Sequence, residues 1–373
     1  MLRKFKVSNF KSFEKDFVLD LSNVNGYSFN NECIKNSLVN AGIIYGYNGM
    51  GKSNLGFALF DIVEHLTDKN RDEIPYGNYL NAYSNETEAD FYYEFLIEGA
   101  IVKYHYKKSD YKTLVFEELC IDGHEIISFD RTAGDTFSVS LLGTENLNKV
   151  ITDNKISVVK YVKNNTSLDL ENYECLVFAE FYKFVDRMLF FRSLLHDLTY
   201  IGNDTGTTSL IDYIIAKDKV ADFESFLHEA NVDCKLKTVS LPNRQTIAFD
   251  FDGKLIPMLD VVSTGTKALL LFYFWYLRII DQKVSFLFID EFDAFYHHEL
   301  SELIVKKLKE SGIQFILTTH NISIMSNDLL RPDCYFLMNK RVIKSLAKCT
   351  FKELREAHNI EKMYKAGAFD VEG

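Results

Sequence analysis

The chain has 373 residues, 47% hydrophobic and 25% charged, a balance that excludes a disordered or fibrous protein. At this length about three quarters of the unfolded surface can be buried, enough for about two or three units without covalent staples. The formal charge of -11 argues against a general polyanion binder, because the long-range field repels phosphate backbones. The longest apolar run, Ala268 to Leu277, is far short of the ~20 residues that span a bilayer. No apolar signal-peptide core follows Met1, and the six cysteines are scattered without a C-x-x-C pair. A cytoplasmic chain in a reducing compartment is expected, without membrane, zinc site or disulfide framework.

In chain order, Phe5 to Phe10 alternates polar and apolar residues as a half-buried strand does. Ala41 to Tyr45 is an apolar strand running into glycines, and Leu55, Ala58, Leu59, Ile62, Val63 and Leu66 follow at helical spacing. From Asp90 to about Val139 the period switches to two. Glu98-Gly99 and Asp122-Gly123 mark turns there, so an antiparallel meander is predicted over about 90–140. Residues from about 150 to 230 read as mostly helical, notably 176–195 and 210–230. A strand at 246–251, a helix at 267–280, a strand at 284–289, a helix at 299–309 and a strand at 314–318 complete the pattern. This alternation predicts an α/β fold with a mostly parallel sheet covered on both faces.

Four segments carry chemistry. Gly46-Tyr47-Asn48-Gly49-Met50-Gly51-Lys52-Ser53 fits G-x-x-x-x-G-K-[ST] at every fixed position, between a strand and a helix. Its glycines allow backbone N–H groups to curl around phosphate oxygens, Lys52 offers a point charge, and the Ser53 hydroxyl can ligate Mg²⁺. Asn54 follows as a further nucleotide contact. Phe286 to Ile289 is an apolar strand delivering two carboxylates. Asp290 would complete a Mg²⁺ shell through water beside Ser53, and Glu291 would polarise the water attacking a γ-phosphate. His320 ends the strand 315–319 at the same expected carboxyl edge, where an imidazole can donate to a γ-phosphate or to that water. Ser263-Thr264-Gly265-Thr266, ahead of a helix, is a second anion-binding surface or a plain helix cap.

The order of these motifs resembles the ABC-type ATPase heads of RecF, SMC and the overcoming-lysogenization-defect group. Within that superfamily the chain is most similar to compact bacterial ATPases of abortive-infection, phage-defence operons. The carriers are Val7 to Phe13, Asn48, Ser263 to Thr266, Asp290 to Asp293, His297, Thr318 to Asn321, Leu330 to Asp333 and Tyr364 to Phe369. The resemblance implies an ABC-type P-loop ATPase head over 1–145 and 246–373, with a helical insertion at 146–245. It implies an ATP-dependent homodimer, or a higher oligomer built from dimers. In it Ser263, Gly265 and Thr266 of one subunit contact the γ-phosphate held by Lys52 of the other, and Asp293 couples the two sites. ATP and Mg²⁺ are the implied cofactors. The signature departs from Leu-Ser-Gly-Gly-Gln, no glutamine loop can be placed after Leu66, and neither a long coiled coil nor a Toprim-like nuclease module is expected.

Three functions fit. The first is an ATP-driven switch that senses infection, through a phage protein or DNA, and controls a partner effector, a nuclease or toxin. The second is a RecF-like DNA-binding ATPase of repair or recombination, with Lys103, Lys107, Lys108 and Lys112 as candidate basic residues, or else ordinary solvent-facing ones. The third is a small-molecule kinase, against which the signature and His320 count.

Overall fold

The computed structural model describes residues 1–67, 69, 76–192, 200–202, 209–242 and 244–371. Two seven-stranded sheets dominate. The core sheet runs, edge to edge, Tyr200–Gly202, Met188–Arg192, Phe286–Asp290, Gln314–Thr319, Ala41–Tyr45, Tyr335–Met338 and Ile343–Ser345. Its five inner strands are mutually parallel, and only the two edge strands are antiparallel. The three central strands are buried along their whole length, as expected where both faces are covered. Parallel register brings Arg192, Asp290, Thr319 and Tyr45 to one carboxyl edge.

The second sheet is antiparallel throughout: Ser138–Val139, His124–Asp130, Leu114–Ile121, Ala100–Lys108, Ala89–Ile97, Leu2–Ser8 and Phe17–Asp20. The predicted meander therefore forms, with turns at Glu98-Gly99 and Asp122-Gly123, and Leu2–Ser8 joins it. The helix Lys52–Thr67 lies between the sheets. On one side, a Cβ at Gly56 would stand 2.8 Å from the Phe190 ring and 3.0 Å from that of Phe288, so only glycine lets the helix approach the core sheet this closely. On the other, the Tyr93 hydroxyl of the meander donates to the Ala58 carbonyl at 2.9 Å.

One segment differs from expectation. The helix predicted over 176–195 ends at Asp186, and Met188–Arg192 is a strand inside the core sheet, paired with Phe286–Asp290. Residues 193–195 lie outside the described residues. Met-Leu-Phe-Phe-Arg is a short apolar run whose period distinguishes neither structure. Two flanking strands decide it by covering the run on both edges. The stretch 146–245 is thus not purely helical. It holds the helices Val158–Asn165, Tyr173–Asp186, Leu210–Ala216 and Val220–Glu229, this core strand, and Leu236–Leu241 of a three-stranded sheet with Arg244–Phe251 and Lys254–Pro257. No described helix is long and apolar enough to cross a membrane.

Candidate nucleotide site

The phosphate loop joins Ala41–Tyr45 to the helix that begins at Lys52. Gly49 and Gly51 take left-handed backbone, φ 77° and 99°. At Gly51 a side chain would also press on the Ser12 hydroxyl, 2.7 Å from the Cβ position. Asn54 donates to that hydroxyl at 2.9 Å, so the segment after the first strand braces the loop from behind. Asn48 and Gly49 stand exposed at the loop's tip.

Lys52 is buried at the loop's base. Its ammonium donates to the Gly46 carbonyl at 2.7 Å and lies 3.0 Å from His320 Nε2. Burial pulls its pKa below the ordinary lysine value, against the opposing pull of Asp290 and Glu291. The same imidazole nitrogen lies 3.5 Å from a Glu291 carboxylate oxygen. Lys52, His320 and Glu291 thus converge from one helix start and two strand ends, and a phosphate placed beside Lys52 would meet an acid and an imidazole poised for proton traffic.

Asp290, 1% exposed, is saturated with donors. Ser53 donates to Oδ2 at 2.6 Å, Thr318 to Oδ1 at 2.7 Å, and Arg192 Nε to Oδ2 at 3.2 Å. Because the Ser53 hydroxyl spends its proton on Asp290, its lone pairs are left for a cation. Glu291 adopts φ 50°, and its N–H donates to the Thr318 hydroxyl at 2.8 Å, which turns the chain sharply out of the strand. Asp293 accepts from the Thr319 hydroxyl through both oxygens, at 2.7 and 2.8 Å, and burial raises its pKa above the usual aspartate value.

Ser263 caps the helix Thr264–Ile280, accepting from the Thr266 N–H at 3.2 Å. Ser263 is exposed, Gly265 and Thr266 half-buried, and no hydrogen bond or ion pair joins them to the phosphate-loop group among the described residues. His297 caps the helix His298–Ser311, as its place before a helical run suggests.

Arg192 joins the site although the sequence predicts helix over 176–195. An apolar run of the same length as Phe286–Asp290, ending in a charge, is the signal that marks it. Lys108 requires a correction as a candidate DNA contact. It is fully buried and ion-paired with Asp61 at 2.7 Å, since its strand turns it inward toward the helix Lys52–Thr67. Lys103 is exposed and Lys107 half-buried.

A parallel sheet that gathers a phosphate loop, an acidic strand end and a histidine at one edge defines the ABC-type ATPase head fold. One solved structure shares this fold, and two others are similar at lower scores. An SMC head bound to the C-winged helix domain of ScpA superposes with a TM-score of 0.51 at 16% identity, covering 93% of this chain and 98% of that one. The SMC head domain from Thermotoga maritima gives 0.45 at 16% identity, over 92% and 98%. An SMC head with an extended coiled coil, bound to the C-terminal domain of ScpA derived from Pyrococcus furiosus, gives 0.48 at 14%, over 93% and 97%. Residues 190–326 match the AAA_21 family, described as "AAA domain, putative AbiEii toxin, Type IV TA system". Residues 190–326 are thus similar to the AAA_21 family, and the chain shares the fold of an SMC head. No curated protein matches it.

Proposed function

We propose that the protein is a Mg²⁺-dependent ATPase that works as a switch in anti-phage defence, closing as an ATP-sandwich dimer to control a partner effector, a nuclease or toxin. The observation that carries the nucleotide reading is the convergence of Lys52, Ser53, Asp290, Glu291 and His320, drawn from three separate chain segments. Ser53 and Asp290 fit a divalent cation as two of its partners, one direct and one through water, with phosphate oxygens supplying others. The cation would neutralise phosphate charge. Lys52 would hold the β/γ-phosphates, Glu291 would take a proton from the attacking water, and His320 would donate to the γ-phosphate.

The dimer reading is supported by the exposure of the Ser263 cap. The Ser263 cap makes no hydrogen bond to the phosphate-loop group among the described residues, which favours a role in a partner's site over its own. A defence role is supported by the family description of residues 190–326, which names an AbiEii toxin. A protein partner is supported by the SMC head fold, a member of which binds ScpA. The DNA-binding alternative loses Lys108 as a contact.

The test is ATP turnover by the purified protein with Mg²⁺ or EDTA, with and without linear duplex DNA. Mg²⁺-dependent hydrolysis indifferent to DNA is the expected result. No nucleotide binding sinks the ATPase reading, and strong salt-sensitive DNA stimulation replaces the switch with the clamp.

A further inference from the structure

Asp290 divides its two oxygens unequally, and the division bears on how a cation enters. Oδ1 is taken by the Thr318 hydroxyl on the neighbouring strand. Oδ2 receives both the Ser53 hydroxyl and the Arg192 Nε–H. Oδ2 is therefore the oxygen on the phosphate-loop side, the one that a water on a Ser53-bound cation would need as its acceptor.

Arg192 is not there by accident of a flexible side chain. Met188–Arg192 pairs in parallel with Phe286–Asp290, and the register sets Arg192 directly opposite Asp290. Its guanidinium also lies 5.8 Å from the ring centroid of Phe57, on the phosphate-loop helix. The carboxylate is buried while the arginine side chain is 29% exposed, so the positive charge closes the acid off from the open side of the site. A buried carboxylate without a neighbouring cation is strongly disfavoured, and an arginine, which never loses its proton, satisfies it permanently.

Resting on the nucleotide reading above, we propose that Arg192 is a built-in counter-ion of Asp290 that Mg²⁺ must displace. Before the cation arrives, Arg192 and Ser53 both hold Oδ2 of Asp290. When the cation arrives, two positive groups compete for Oδ2, and the guanidinium yields. Arg192 is thus a positioning residue that sets how much Mg²⁺ the site needs before it tightens on nucleotide. A site so guarded stays assembled in the absence of the cation and loads only when nucleotide and cation come together.

Two measurements test this, neither of them turnover. The first is the dissociation constant of a fluorescent, slowly hydrolysed ATP analogue in EDTA and across a Mg²⁺ series, whose ratio reports the magnesium-linked gain in affinity. In R192M, which removes the charge and cannot ligate the cation, the gain should rise at least about five-fold over wild type, the scale of one partly exposed charge pair. In R192K, which keeps the charge, it should stay near the wild-type value. An unchanged or smaller gain in a folded R192M protein overturns the proposal. The second needs no variant. In ¹⁵N spectra of the wild-type nucleotide complex, adding Mg²⁺ should move the Arg192 Nε–H signal toward that of a solvated arginine, and a signal that does not move overturns the proposal. Failure of the wild type to bind the analogue at all would overturn the nucleotide reading itself, a result distinct from normal binding with an unaltered magnesium gain.

Discussion

Nε2 of His320 lies 3.0 Å from Nζ of Lys52, although 268 positions separate them in the chain. The lysine ammonium can only donate, and which ring nitrogen of His320 faces it as an acceptor depends on the tautomer. The two groups therefore divide the work, one a fixed charge and the other a proton donor or acceptor. Lys52→Ala should weaken ATP binding by about 10- to 100-fold, the worth of a charge-assisted hydrogen bond. His320→Ala should leave binding within a few-fold and lower turnover by about 100-fold. Calorimetric binding and steady-state phosphate release separate the two, and equal losses of binding would refute the division.

Glu291 sits in left-handed backbone with its N–H tied to Thr318, and glutamine preserves both the length and the hydrogen-bonding shape of its side chain. Glu291→Gln should lower turnover by about 100-fold or more while retaining bound ATP, because only the proton acceptor is lost. Size-exclusion chromatography with ATP and Mg²⁺ should then show a persistent dimer. A monomer with trapped ATP would contradict the sandwich.

The Ser263 hydroxyl is the cap of the helix Thr264–Ile280, so its removal costs stability as well as any phosphate contact, about 1 kcal/mol by analogy with other caps. Ser263→Arg should abolish turnover with ATP binding intact. Mixing it with Lys52→Ala should restore part of the activity, since one of the two composite sites in a mixed pair is whole. No recovery on mixing would place the signature within its own subunit's site.

Between the helix Lys52–Thr67 and the meander, Lys108 and Asp61 form an ion pair with both side chains fully buried. Tyr79 and Tyr106 also donate to Asp61, at 2.8 and 2.9 Å. Lys108→Met leaves an uncompensated carboxylate in the interior and should cost about 3–5 kcal/mol in denaturant unfolding. Lys103→Ala, on the exposed face of the same strand, should stay within about 0.5 kcal/mol. A mild effect at Lys108 would mean that Asp61 finds another partner.

His65 is buried beside that pair, with Nε2 2.9 Å from the Tyr104 hydroxyl, and burial holds its pKa well below the ordinary histidine value, helped by the Lys108 charge. The carboxylate of Asp61, 3.8 Å away, does not rescue the charged form, because Lys108 already neutralises it. The folded protein thus binds this proton more weakly than the unfolded chain does. Stability from His65 is present above about pH 6.5 and is lost as the pH falls below that value toward the depressed folded pKa. Melting temperatures between pH 7.5 and 5.5 should fall less steeply in His65→Gln than in wild type. Parallel slopes would assign the acid sensitivity elsewhere.

How much was legible depended on how local each signal was. The loop from Gly46 to Ser53, the hairpin at Asp122-Gly123 and the strand ending at Asp290 are each specified within about ten residues. In these, glycine φ angles, turn chemistry and an apolar run bounded by charge act over neighbouring positions. Met188–Arg192 is not legible locally, because a run of five apolar and charged residues becomes a strand only when other strands flank it. The burial of Lys108 is not legible either, because strand alternation predicts two faces without saying that a buried aspartate, 47 positions away, lies on one of them. Local sequence specifies which side chains could cradle a phosphate and activate water. Tertiary structure alone decided that Arg192 stands against Asp290 and that His320 reaches Lys52, because parallel register is set by packing between segments and no local preference encodes it.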